Sequence, residues 1–163
     1  MQRRSRGIAV VLGLVAGLIL GLAARPSVAA TTIIDPAQFV GQVYGRLARG
    51  GDYISPDDIY SPRLAALWAG EAHDAGKEVG RIDFLFWING QDGLPSDVKI
   101  KTFPVEGRPD RRIIVATFVN DKPQTLQFFF EKRGRNWKLD DVVCLTPGEE
   151  WTLSVILKYG WPG

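Results

Sequence analysis

Asp83, Asn89, Gln91 and Asp92 place two carboxylates and two amides within ten residues, wrapped around the apolar run Phe84-Leu85-Phe86-Trp87-Ile88. Oxygen donors at that density suit a hard cation, a polar ligand or a general acid/base, and rings beside them would keep water away. The spacing departs from the twelve-residue calcium loop, and turn-making accounts for Asn, Gly and Asp equally well. The stretch is therefore read as a ligand-binding rim, with Asp83, Trp87, Asn89, Gln91 and Asp92 as candidate residues. It is not read as a metal site or a catalytic centre.

Asp141 is a further carboxylate of interest. Alternation along Trp137 to Cys144 puts it on one strand face with Trp137, Leu139 and Val143. A carboxylate among apolar side chains must be hydrogen-bonded, ion-paired or shifted in pKa. Arg63 offers a partner, so Arg63, Trp137 and Asp141 join the candidate binding set, and a pocket acid is the competing reading. His73, the one histidine, lies nine positions from Leu64. At about 100° per residue that is about half a turn from the apolar stripe of its helix, so it points outward. A lone outward histidine supports neither a metal site nor a nucleophilic triad. Cys144 falls on the Asn136, Lys138, Asp140 and Val142 side and reads as a small apolar filler. With no glycine-rich phosphate loop either, no catalytic residue, cofactor or metal is expected. The alternative is a small-molecule enzyme using Asp83, Asp92 or Asp141 as acid/base groups.

These residues need elements to position them. Asp35-Pro36 opens a helix carrying Phe39, Val40, Val43, Tyr44 and Leu47 on one face, closed by Gly50-Gly51. Residues 52 to 60 read as a linker. Ser61-Pro62 opens a second helix with Leu64, Leu67, Trp68, Ala72 and Ala75 on its apolar side, ended by Gly76. Beyond Asp92 the period changes to alternation: Val98, Ile100, Thr102; a turn at 107 to 110; Ile113 to Val119 as a central strand. A turn at 120 to 123, the strand with Leu126, Phe128 and Phe130, a turn at 133 to 136 and the strand from Trp137 complete a four-stranded meander. Thr146 and Glu149 have capping-box spacing for a last helix containing Trp151, Val155, Ile156 and Tyr159. Helices followed by hairpin strands predict an α+β domain.

Residues 1 to 30 stand apart, with Arg3, Arg4 and Arg6, an apolar run from Ile8 to Ala24, and then Ser27-Val28-Ala29-Ala30. This is the pattern of a secretory signal peptide, with cleavage after Ala29 or Ala30, and it predicts a periplasmic or secreted protein that meets the membrane only in passing. The remaining 31 to 163 form a single domain. Removing Arg3, Arg4, Arg6 and Arg25 leaves 16 basic against 18 acidic residues, a net charge near −2 in place of +2. A near-neutral exported domain has no electrostatic drive toward nucleic acid. The single cysteine excludes an internal disulfide, and about 133 residues can fold on a core alone.

The motif order resembles a known family. Ser61-Pro62-Arg63-Leu64, Ile82-Asp83-Phe84, Asn89-Gly90-Gln91-Asp92, Trp137-Lys138-Leu139-Asp140-Asp141 and a terminal Trp151-Thr152-Leu153 are similar to the bacterial domain-of-unknown-function family 3828. That resemblance implies an exported protein with a nuclear transport factor two-like, or cystatin-like, fold. In that fold a curved antiparallel sheet wraps around the N-terminal helices as a cone. Leu85-Phe86 stands where the family typically has Asp-Pro, which makes this edge of the pocket more apolar. The resemblance also implies that two copies can pair through the sheet face as a homodimer. Its activity is unassigned, so the expectation is a non-catalytic binding module of the cell envelope. Its partner would be a small molecule, bound in a cone lined by Phe84, Phe86, Trp87, Phe118, Phe128, Phe130 and Trp137, or a protein, as in toxin neutralisation.

Overall fold

The computed structural model describes residues 30–161 with the exception of Ile54. The predicted signal peptide, apart from Ala30, lies outside the described residues. Asp35 caps α1 (Pro36–Leu47), its carboxylate accepting the amides of Ala37 at 2.8 Å and Gln38 at 3.0 Å. Ser61 caps α2 (Pro62–Ala75) by accepting the Leu64 amide at 3.1 Å. In both helices proline follows the cap, where its missing N–H costs nothing. The predicted linker contains one 3-10 turn, Asp57–Ile59, which brings Ile59 into the core.

The second half is a five-stranded antiparallel sheet in chain order: β1 (Ser96–Val105), β2 (Arg108–Asn120), β3 (Lys122–Arg133), β4 (Asn136–Cys144) and β5 (Trp151–Thr152). Helix α3 (Leu153–Tyr159) follows directly. The fold is α+β, with three helices and an open sheet among the described residues. The hairpin turns are tighter than predicted. Arg108-Pro109-Asp110 and Pro123 belong to strands, and Gly107 turns the first hairpin at φ 69°, a left-handed conformation that disfavours side chains.

One face of the sheet carries Ile114, Ala116, Phe118, Leu126, Phe128 and Phe130, all buried. Val40, Val43 and Tyr44 of α1 and Leu153, Ile156 and Leu157 of α3 belong to the same core cluster. Burial alternates along the inner stretches of β2 and β3 because successive side chains point to opposite faces.

Three predictions fail locally, each for a physical reason. A bulge places Phe129 opposite Asp141 and Phe130 opposite Leu139, leaving Asp140 as the extra residue of β4. An extra residue reverses the in-out phase beyond it. Asp141 and Val143 therefore leave the face of Trp137 and Leu139, and Val142 and Cys144 take the core positions. The capping box does not form. The Thr146 hydroxyl donates to Gln124 Oε1 at 2.8 Å, Trp151–Thr152 pair with β4, and α3 begins at Leu153. Finally, α2 buries only Leu64 and Glu71, while Leu67 and Trp68 are half-buried and Ala72 is exposed. Its predicted apolar face is only partly covered by protein. No helix among the described residues is long and apolar enough to cross a membrane.

Candidate functional site

The segment from Asp83 to Asp92 folds back on itself, with the Leu85 amide donating to the Gly90 carbonyl at 2.9 Å. This closure separates the predicted rim residues. Trp87 is buried completely, stacks on Phe128 at 4.7 Å and 19°, and donates its indole N–H to Ser55 Oγ at 2.8 Å. Its carbonyl accepts the Tyr44 hydroxyl at 2.6 Å. Trp87 is thus core. Asn89 sits at φ 51°, a conformation asparagine tolerates better than most residues. Its amide nitrogen donates to Gln124 Oε1 and to Glu149 Oε2, both at 3.0 Å, and its oxygen accepts the Trp151 indole N–H at 2.6 Å. Lys122 lies 2.7 Å from Glu149 and, with the Asn89 and Gln124 amides, holds that carboxyl below its usual range. Asp83, Gln91 and Asp92 are exposed. The Asp92 carbonyl accepts the Asn120 amide at 3.4 Å, and a side chain at Gly93 would run into Asn120 at 2.0 Å.

A second group of predicted residues gathers at the β4 bulge. Asp140 accepts the Ser61 hydroxyl at 2.6 Å, Arg63 Nε at 3.2 Å and Arg111 Nη1 at 2.8 Å. Burial pulls its carboxyl upward, but these donors outweigh burial and hold it below 3.8. Arg63 also donates to the Asp140 carbonyl and to Asp141 Oδ2 at 3.3 Å. Asp141 accepts the Ser154 amide at 3.0 Å and the Ser154 hydroxyl at 2.5 Å, capping the start of α3. Glu131 meets Arg111 at 3.0 Å and Arg133 at 2.6 Å. A cavity of about 390 Å³ adjoins the cluster, walled by Ile113, Phe129 and Val143. Its carboxylates are engaged by cations and helix donors, so the cluster joins α2 and α3 to the sheet and offers no free acid or base. Trp137 is buried at the other side of the sheet, under Arg112 and Lys132 at 5.4 and 5.6 Å from its ring. His73 is exposed beside Asp74, and Cys144 is buried among apolar side chains.

A further apolar space lies elsewhere, a cavity of about 610 Å³ between α2 and the Ile82 to Phe86 segment. Tyr53, Tyr60, Trp68, Phe84 and Phe86 supply its rings, and Ala65, Ala69 and Ala72 supply space along α2. Tyr60 and Trp68 stack at 6.0 Å and 30°, with Phe86 beyond them at 6.5 Å from Trp68. Burial pushes the Tyr53 hydroxyl up to about 12, and burial does the same to Tyr60 against an opposing hydrogen bond from Ser55. Both phenols therefore stay protonated at ordinary pH. Among the described residues, Tyr53 Oη, Trp68 Nε1 and Asp58 Oδ1 are buried without a hydrogen-bond partner. Two of these three side chains wall the cavity. An unpartnered buried polar atom costs about 1–3 kcal/mol, so three in one neighbourhood is a departure that invites a functional explanation.

Phe84 and Phe86 were legible in the sequence as pocket residues. Tyr53, Tyr60 and Trp68 were missed as a group. Their signals were an aromatic-rich linker and an apolar helix face whose small residues, Ala65, Ala69 and Ala72, recur at helical spacing. Among the described residues no group of three or more His, Cys, Asp or Glu side chains is arranged to hold a metal. The chain matches no protein-family profile, no curated protein and no solved structure.

Proposed function

We propose that this is an exported, non-catalytic binding module of the cell envelope, and that its ligand enters the aromatic cavity between α2 and Phe84 to Phe86. The observation that carries this reading is the pairing of that cavity with two buried, unpartnered donors in its walls, Tyr53 and Trp68. Apolar pockets of a few hundred Å³ with a few polar groups are the usual form of a small-molecule site. The half-covered apolar face of α2 supports the same conclusion, since an amphipathic helix needs a partner for that face. Export rests on the basic, apolar and small-residue pattern of residues 1 to 30. The motif order supports membership of the domain-of-unknown-function family 3828 and, with it, a nuclear transport factor two-like cone.

The enzyme reading is the weaker one. Asp140 and Asp141 are bound by arginines and by the start of α3, and Asp83 and Asp92 are exposed rather than enclosed. A general acid or base needs a cleft with room for substrate beside it.

Native mass spectrometry of the protein released from its own periplasm tests the binding role, with Ala69→Trp as the blocked control. A bound small molecule lost in the variant is the expected result. A wild-type protein repeatedly free of any ligand, with a protein partner held equally by both forms, would overturn it.

A further inference from the structure

The run Ser27-Val28-Ala29-Ala30-Thr31 admits cleavage after Ala29 or after Ala30 by its pattern of small residues. The fold treats the two resulting termini differently. Ala30 is exposed, whereas the chain is tied down from Thr31 onward. The Thr31 carbonyl accepts the Asn136 side-chain amide at 3.3 Å, the Ile33 amide donates to Asn136 Oδ1 at 2.8 Å, and the Ile33 carbonyl accepts the Trp137 amide at 2.8 Å. The nitrogen of Thr31 itself donates to Asp58 Oδ2.

Asp58 is the informative partner. It is half-buried, its other oxygen, Oδ1, is buried without a hydrogen-bond partner, and the ion pairs among the described residues do not include it. Lys138 is nearby, but its ammonium donates to the Asp58 carbonyl. A half-buried carboxylate with one oxygen unsatisfied and no cation beside it is costly. The group already against it is a nitrogen that cleavage after Ala30 turns from an amide with one hydrogen into an ammonium with three. That ammonium can donate to both oxygens and neutralise the charge. Cleavage after Ala29 leaves the amide in place and puts the new charge on exposed Ala30.

Resting on the export proposed above, we infer that the mature protein begins at Thr31 and that its α-ammonium forms an ion pair with Asp58. Hydrolysis of the Ala30–Thr31 peptide bond consumes one water and leaves a carboxylate on Ala30 of the released peptide and the ammonium on Thr31. The fold plays no part in the cut; it is complementary to the terminus that the cut leaves. The pair fastens the first mature residue to the 3-10 turn Asp57–Ile59, whose Asp57 lines the cavity beside α2.

The full chain, produced in a bacterium and recovered from its periplasm, tests the terminus by intact mass and N-terminal sequencing. A start at Thr31 is expected. A start at Ala30 or elsewhere would overturn the inference and leave export standing, whereas a chain that keeps residues 1 to 30 would sink the cleaved-export reading itself. The ion pair is read from carbamylation of the α-amine by cyanate at neutral pH, since only the uncharged amine reacts and a neighbouring carboxylate keeps it protonated. Carbamylation at Thr31 should be about tenfold slower in the wild type than in Asp58→Asn, which keeps an oxygen acceptor and removes the charge. The rate at exposed Lys77 serves as the internal standard and should be equal in both. Equal rates at Thr31 would overturn the pair. Should Asp58→Asn lose the near-ultraviolet circular dichroism of the fold, native wild-type protein is compared with the guanidinium-unfolded chain, and equal Thr31 rates there would overturn the pair as well.

Discussion

The β4 bulge and the cavity beside α2 both mix aromatic and polar side chains, yet they treat their polar atoms in opposite ways. At the bulge, Asp140 accepts three donors and Asp141 four, from Arg63, the Val142 amide and both groups of Ser154. At the cavity, Tyr53 Oη and Trp68 Nε1 have no partner among the described residues. Satisfied polar networks rigidify a fold, whereas an unsatisfied donor is a standing cost that the native state bears. The difference separates a joint from the wall proposed to meet a ligand, and the sequence drew attention to parts of both. The Asn89 network belongs with the joint, since its amide groups are engaged by Gln124, Glu149 and Trp151.

This contrast can be broken or sharpened by experiment. The largest effect should come from Trp87→Ala, which removes the ring stacked on Phe128 and leaves Ser55 without its indole partner. A loss of about 3–5 kcal/mol in denaturant unfolding is expected, as for other buried tryptophans, and a loss under 1 kcal/mol would show that Trp87 is a rim residue after all. Asp140→Ala should cost about 2–3 kcal/mol, because it removes the acceptor of the Ser61 hydroxyl and one carboxylate partner of each of two arginines; a neutral outcome would mean that the bulge cluster is surface decoration.

Acid should expose the same joint. The Asp140 carboxyl is held below 3.8 in the fold, so the unfolded chain takes up its proton first as pH falls. The stability it contributes is present above about pH 4 and is lost as pH drops through the lower folded value. Asp140→Asn should therefore flatten the fall in melting temperature below pH 4 relative to the wild type. An unchanged acid profile would count against the pairing.

The smallest effect should be opposite in sign. Tyr53→Phe removes an unpartnered hydroxyl while keeping the ring edge-on to Trp87 at 5.4 Å. Stability should stay level or rise by up to about 1 kcal/mol, and a clear loss by thermal unfolding would reveal a hydrogen bond at Tyr53 and erase the contrast.

Much of the fold was legible because it rests on local chemistry. Asp35-Pro36 and Ser61-Pro62 start helices where those pairs predict, and Leu126, Phe128 and Phe130 alternate as a half-buried strand must. The misreading of β4 has a specific origin. The period of two was counted straight through Asp140, whereas the bulge is set by pairing with β3 and marked in β4 only by a carboxylate, Asp141, where alternation calls for an apolar side chain. The candidate site was half legible for a similar reason. Phe84 and Phe86 announce an apolar wall, but the wall opposite comes from Tyr53, Tyr60 and Trp68, which only packing brings to face them.

By itself, the sequence determined the starts of α1 and α2, the run of hairpin strands, the basic and apolar pattern of the first 30 residues and the exclusion of chemistries that need several histidines, paired cysteines or a phosphate loop. Those are properties of neighbouring residues and of counts. The tertiary structure decided which of the chosen residues share a site. It sent Trp87 into the core, bound Asp141 to the start of α3, left Asp83 and Asp92 in solvent, and assembled an aromatic cavity along a helix face that the sequence marked for burial. The physical reason is that hydrogen-bond satisfaction is a long-range property. Whether a donor at Trp68 or an acceptor at Asp140 finds its partner depends on elements up to about eighty residues away, as the Ser61 and Asp140 pair illustrates.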